Sequence, residues 1–165
     1  MGKQRNLTAG EIALARAAFQ DKIDYGAVKL SDGPGRHPFA HMAFAKGNPA
    51  ITIGSTVYFK HDYCPDFSAA GMNRKSFIHE MAHVWQYRAL GLAAFGWRYG
   101  EDLAKVKGRP DDMYLYAPGV TAFHGAMIEQ QAEMIGDYSE ALWNNDTARK
   151  AVFAKNLAQS GVYGL

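Results

Sequence analysis

Residues 79–83 read His-Glu-Met-Ala-His. Two imidazoles four positions apart stand on one face of an α-helix, one turn above the other, where a single metal ion can bridge them. Glu80, beside the first histidine, can reach a water on that metal and take its proton, so the trio suits zinc-assisted hydrolysis. With six histidines and six glutamates in 165 residues, chance placement yields such a string in about 1% of sequences. The bland alternative is a pair of satisfied core histidines. Phe77, Ile78, Met81, Ala82, Val84 and Trp85 flank the string and mark a buried helix. Two imidazoles and a carboxylate buried there without partners would be costly, and a metal removes that cost.

The third protein ligand must lie elsewhere. The extended form H-E-x-x-H-x-x-G-x-x-H fails, because Gln86 stands where its glycine belongs and Ala89 where its last histidine belongs. Cys64 is the single cysteine, so no disulfide forms within the chain and no multi-cysteine metal site exists. Carboxylates remain, and the stretch MIEQQAEMIGDY at 127–138 offers them. Glu129 and Glu133 are four apart, as are Glu133 and Asp137. In either pairing one carboxylate can bind metal while the next holds a ligand histidine from behind and fixes its tautomer. Spacing alone does not choose between the pairs.

Other residues are weaker candidates. His124, five before Glu129, could line the site or stabilise an oxyanion; a helix-surface histidine is the plainer role. Tyr114 and Tyr116 alternate around Leu115, and a phenol from this segment could steady a tetrahedral intermediate, although packing is the ordinary use of such residues. Of the two, Tyr116 is the site-lining candidate. Gln86, one turn beyond His83, is placed to hydrogen-bond nearby backbone. His37, His41 and His61 read as loop histidines, and Cys64 as an inert thiol.

These groups need elements to hold them. Thr8-Ala-Gly-Glu11 is a capping-box pattern opening a helix to about Gln20. Residues 31–49 carry three glycines and three prolines, and read as a long irregular segment. AITIGSTVYF at 50–59 reads as a hairpin or a bulged strand pair. A long helix over 73–91 ends at Gly91, and others follow over 92–105, 121–144 and 146–159. A small sheet is expected from 25–30, 50–59 and the strand-like MYLYA at 113–117.

The composition is that of an ordinary globular chain, 48% hydrophobic and 21% charged. The net charge of +2 is unclustered; Lys105, Lys107 and Arg109 are followed at once by Asp111 and Asp112. A nucleic-acid partner is therefore not expected. No apolar run reaches membrane-spanning length, and the N-terminus has no secretory h-region. Asn6 stands where a myristoylation signal at Met1-Gly2 needs serine or threonine. The expected location is cytoplasmic, with signal-independent export left open.

Glu129-Gln130-Gln131-Ala132-Glu133 resembles the E-x-x-A-D/E segment of gluzincins of the CAAX-prenyl-protease kind, with Glu133 in place of the usual aspartate. With AITIGSTVYF and FIHEMAHVWQY, it resembles the metallopeptidase-like core domain of extracellular contractile injection systems and its Vgr-related relatives. The resemblance spans about residues 50–90 and 121–140. It implies Glu129 as the third zinc ligand beside His79 and His83, Glu133 behind a ligand histidine or as the alternative ligand, and Glu80 as general base. The expected fold is α+β and zincin-like, one helix-dominated domain over 1–165 with a small β-sheet covering the metal-binding helix. In such folds the strand nearest that helix offers its edge to an extended peptide, here from residues 50–59. The expected function is zinc-dependent hydrolysis of a peptide or protein. The alternatives are a non-catalytic zinc-binding module and a toxin or adaptor component of a bacterial secretion or injection apparatus.

Overall fold

The structure, a computed structural model, describes residues 3–165. The Met1-Gly2 reading lies outside the described residues. Four strands, β1 (Gln4–Asn6), β2 (Lys29–Asp32), β3 (Ala50–Ile53) and β4 (Thr56–Phe59), form one sheet in the order β1-β2-β4-β3. Among the described residues six α-helices follow the chain as α1 (Ala9–Phe19), α2 (Pro38–Ala45), α3 (Arg74–Leu90), α4 (Leu92–Lys105), α5 (Ile128–Trp143) and α6 (Thr147–Asn156). The result is a mixed α/β single domain. No described helix is long and apolar enough to cross a membrane.

The centre of the domain is the packing of α3 on α5. From Phe77 to Val84 every α3 side chain is buried, as are Ala132, Met134 and Ile135 of α5. Phe67 stacks between Phe59 and Phe77, with ring centroids 4.8 and 5.4 Å away, and so joins the sheet to α3. The capping box opening α1 is present, and Glu11 serves a wider purpose there. Its fully buried carboxylate takes hydrogen bonds from Arg5, from Thr8 N and from Phe67 N. That clasp fastens β1, α1 and the approach to α3 together.

The sheet differs from the expected one. β1 pairs with β2 and is too short and polar to be read from the sequence. The strand expected over 25–30 forms at Lys29–Asp32, and β2 runs parallel to β4. The 113–117 segment is no strand: Pro110 opens a 3-10 turn over Pro110–Tyr114. The 31–49 stretch is not wholly irregular, since Pro38 sits at the first position of α2, where proline is favoured. The helix expected from Thr121 begins only at Ile128, after a separate 3-10 turn over Phe123–Gly125.

The 50–59 segment forms the β3–β4 hairpin around Gly54-Ser55. β3 is the sheet's edge, and it packs beside α3. Ile51 pairs with Tyr58 and Ile53 with Thr56, and Lys60 N bonds Pro49 O at 2.8 Å. By antiparallel alternation, the backbone groups of Ala50 and Thr52 therefore face the open side.

Candidate metal centre

α3 carries His79 and His83 on the face it turns to α5, and the first turn of α5 carries Glu129. His79 Nε2 and His83 Nε2 each lie 3.1 Å from Glu129 Oε2 and 3.2 Å from one another. Among the described residues these three form the one cluster of metal-capable side chains, and all three are buried.

The tautomers follow from the surroundings. Gln86 Nε2 donates to Ile128 O and to Gln131 Oε1, each at 3.1 Å, so its Oε1 faces His83 Nδ1 at 2.8 Å. Gln131 is fixed in turn by donating to Phe123 O. His83 must therefore carry its proton on Nδ1. On the other side, His79 Nδ1 lies 3.3 Å from Glu133 Oε2. The other oxygen of Glu133 accepts from Lys75 Nζ at 2.5 Å, Lys75 also donates to Asp137 Oδ1 at 2.7 Å, and Asp137 Oδ2 accepts from Tyr116.

With both Nδ1 atoms committed to acceptors, the Nε2 lone pairs converge on a carboxylate oxygen. Three electron-rich atoms this close repel unless a cation sits among them. Donors held about 2.0–2.1 Å from a tetrahedral zinc stand roughly 3.3 Å apart, close to the separations here. In the metal-free molecule a proton takes that place. Burial opposes charge on His79, but its hydrogen bonds to Glu129 and Glu133 outweigh burial and carry its pKa up to about 10. His83 is raised in the same way, burial being outweighed by the Glu129 charge. Glu129 is held well below the usual carboxylate range, with the histidines overcoming its burial. The first turn of α5 also favours this charge through the helix dipole.

Glu80 lines a cleft of about 230 Å³ that His83 and Glu129 also line. Its Oε2 accepts from Thr52 Oγ1 of the edge strand at 2.7 Å. Tyr87, Phe95, Tyr99 and Tyr114 supply the cleft's aromatic surface. The Tyr114 ring stacks on His79 at 5.8 Å. Burial first, and then the negative Glu129 and Glu80, push its phenol pKa up.

The structure thus brings together His79, Glu80, His83 and Glu129, and sets Glu133 behind His79. It does not bring in His124, which is exposed and bonds Gln159 O at 2.9 Å. The late start of α5 puts that histidine on a separate turn. Tyr116 is not at the cleft either; its hydroxyl is spent on Asp137, and Tyr114 lines the cleft instead. Strand alternation over 113–117 would put the two phenols on one face, and the 3-10 turn separates them, leaving Tyr114 at the cleft and Tyr116 on Asp137. Thr52 escaped notice in the sequence because nothing local marks it; only the packing of β3 on α3 brings it to Glu80. His37, His41 and His61 do not join the cluster.

A mixed α/β domain whose longest helix and a second helix pinch two histidines and a carboxylate beneath a sheet edge is the class of molecule these features define. No family model matches the chain. Over 140 residues the chain is 31% identical to the type VI secretion system spike protein VgrG2b of Pseudomonas aeruginosa, a stretch covering 81% of this chain and 13% of that protein. The solved effector domain of Pseudomonas aeruginosa VgrG2b superposes with a TM-score of 0.64 at 26% identity, covering 93% of this chain and 82% of that one. The chain is homologous to that effector domain, and it spans about an eighth of the full spike protein.

Proposed function

We propose that this chain is a zinc-dependent peptidase of the gluzincin kind that acts as an effector of a type VI secretion apparatus. Two supports are independent. Homology to a domain named as a spike effector supports the role in secretion. The chemistry rests on one observation: His79, His83 and Glu129 converge with both Nδ1 protons committed outward, while Glu80 faces the cleft beside them. Synthesis in the cytoplasm and export through the apparatus complete this reading.

His79, His83 and Glu129 would hold the zinc, which when bound acidifies a water and polarises a carbonyl. Glu80 takes the proton of the attacking water and passes it to the leaving amine. Thr52 fixes the carboxylate by donating to Oε2 and leaves Oε1 free for that transfer. An extended peptide aligns on the open backbone groups of Ala50 and Thr52. Tyr114, beside His79 at the cleft, is placed to donate a hydrogen bond to developing negative charge. A zinc site without turnover would have no use for a carboxylate clamped toward a cleft, which favours the catalytic version.

The test is metal content by elemental analysis, with hydrolysis of casein and of quenched peptides by wild type and Glu80→Gln. The expected result is one zinc per chain in both proteins and hydrolysis only in wild type. Protein that neither retains nor takes up zinc would overturn the reading. Equal hydrolysis by Glu80→Gln would remove Glu80 from its role.

A further inference from the structure

α4 (Leu92–Lys105) contains two glycines, Gly96 and Gly100, well inside the helix. An interior glycine destabilises a helix relative to alanine. Gly136 and Gly10, in other helices, each have a neighbour that explains them. A Cβ on Gly136 would meet Lys75 Cγ at 3.2 Å, and one on Gly10 would collide with Ser68. Gly96 has no such neighbour within 4 Å and no positive φ. Neither backbone conformation nor packing within the chain accounts for it. Its position does, because Gly96 lines the cleft with Phe95 and Tyr99, and Ile51 of β3 lines the same space. Gly100 is equally unhindered but lies outside the cleft lining.

We propose that Gly96 is the specificity-determining residue of the cleft: its missing side chain leaves a recess for a bulky apolar side chain of the peptide, aromatic or branched, beside the bond to be cut. This rests on the peptidase reading above. The chemistry of the surface selects the occupant. The rings of Tyr87 and Phe95 stack at 3.7 Å and present an apolar platform. Away from the metal centre the cleft lining has no lysine or arginine to pair an acidic side chain, so an acidic side chain is disfavoured there. The cleft's volume of about 230 Å³ is below the roughly 300–1,000 Å³ of pockets for drug-sized ligands. It suits one side chain with its adjoining backbone.

The test compares wild type, Gly96→Ala, Gly96→Val and the control Gly100→Ala on quenched peptides differing at one position, Phe, Leu, Ala or Asp. Wild type and Gly100→Ala are expected to favour Phe and Leu over Ala and Asp by at least tenfold in kcat/KM. Gly96→Val is expected to lose at least tenfold on Phe and Leu while keeping its rate on Ala, with Gly96→Ala intermediate. A uniform fall on all peptides, or no change, overturns the assignment. A second readout separates this idea from catalysis. NMR titration of the Glu80→Gln protein, with and without zinc, should move the Gly96 amide with the Phe peptide and not with the Asp peptide. Selective binding at Gly96 without hydrolysis by wild type would sink the peptidase reading and uphold the recess. Hydrolysis without selectivity at Gly96 would do the reverse.

Discussion

Replacing Lys75 by methionine tests whether the charge network behind His79 governs the metal centre. Met keeps the length of the side chain and removes its ammonium. Lys75 Nζ lies 2.5 Å from Glu133 Oε1 and 2.7 Å from Asp137 Oδ1, and these two acids are one turn apart on α5. Without the cation they face each other unpaired. Removing one partner of a fully buried ion pair costs about 3–5 kcal/mol. Here the side chains are 31%, 25% and 15% exposed, so solvent screens part of that cost and about 2 kcal/mol is expected. For a chain of this size that lowers Tm by about 4–8 °C. The sign with pH is fixed. The His79 hydrogen bond, and then Lys75, hold Glu133 at about 2 against the pull of burial, below its ordinary 4.5. Its stabilisation is therefore present above pH 4.5 and lost as pH falls through about 2. The Tm gap between wild type and Lys75→Met should be full at pH 7 and narrow in acid. Glu133 in the variant loses the ion pair that holds its carboxylate against the His79 Nδ1–H, so zinc affinity should fall about tenfold. Thermal melts from pH 3 to 8 and competition with a chromophoric chelator measure both. A Tm loss with unchanged zinc affinity would refute the link from Lys75 to the centre. Restored zinc affinity in Lys75→Met/Glu133→Gln would support it.

Two further outcomes follow from the site's geometry. In metal-free protein His79 titrates near 10, above its ordinary 6.5, so its stabilisation is full below pH 6.5 and is lost as pH rises through about 10. Zinc must displace that proton, and apparent zinc affinity should climb about tenfold per pH unit from pH 6.5 to 8; a flat profile by chelator competition would show that His79 is not a ligand. Thr52→Val removes the donor to Glu80 with little change in shape. Hydrogen bonds to charged groups are worth about 1.5–3 kcal/mol, so kcat should drop about tenfold or more while zinc content stays at wild-type level. A matching loss of zinc would assign Thr52 to the fold instead.

The sequence was most informative where chemistry and local periodicity coincide. His79 and His83 share a face because α3 is a regular helix, and the spacing from Glu129 to Glu133 carries both onto the α3 side of α5. The hairpin at 50–59 was legible from its β-branched residues around Gly54-Ser55. What was hidden depends on distant contacts. β1 exists because Arg5 meets Glu11 and because β2 is there to pair with it. α2 was masked by prolines and glycines that flank the helix without interrupting it. Between Tyr114 and Tyr116 the choice turned on a 3-10 turn begun by Pro110, which an alternating pattern of residues cannot reveal. Gln86 showed its position but not its partners, since Ile128 and Gln131 lie 42 and 45 residues further along the chain.

Asp102 links α4 to the start of α5. Its carboxylate, 1% exposed on α4, accepts from Ile128 N at 2.9 Å at the start of α5 and from Lys105 at 2.7 Å. Ile128 immediately precedes Glu129. Arg98, on the same α4, donates to Ala126 O just before that turn. The helix that carries Gly96 is thus pinned twice to the backbone that carries Glu129. A substrate side chain that pushed α4 outward would have to break those bonds or drag the carboxylate from the two histidines. The cleft wall and the start of α5 are therefore one mechanical part, and a peptide fitted against α4 would be felt at Glu129 without any lid having to move.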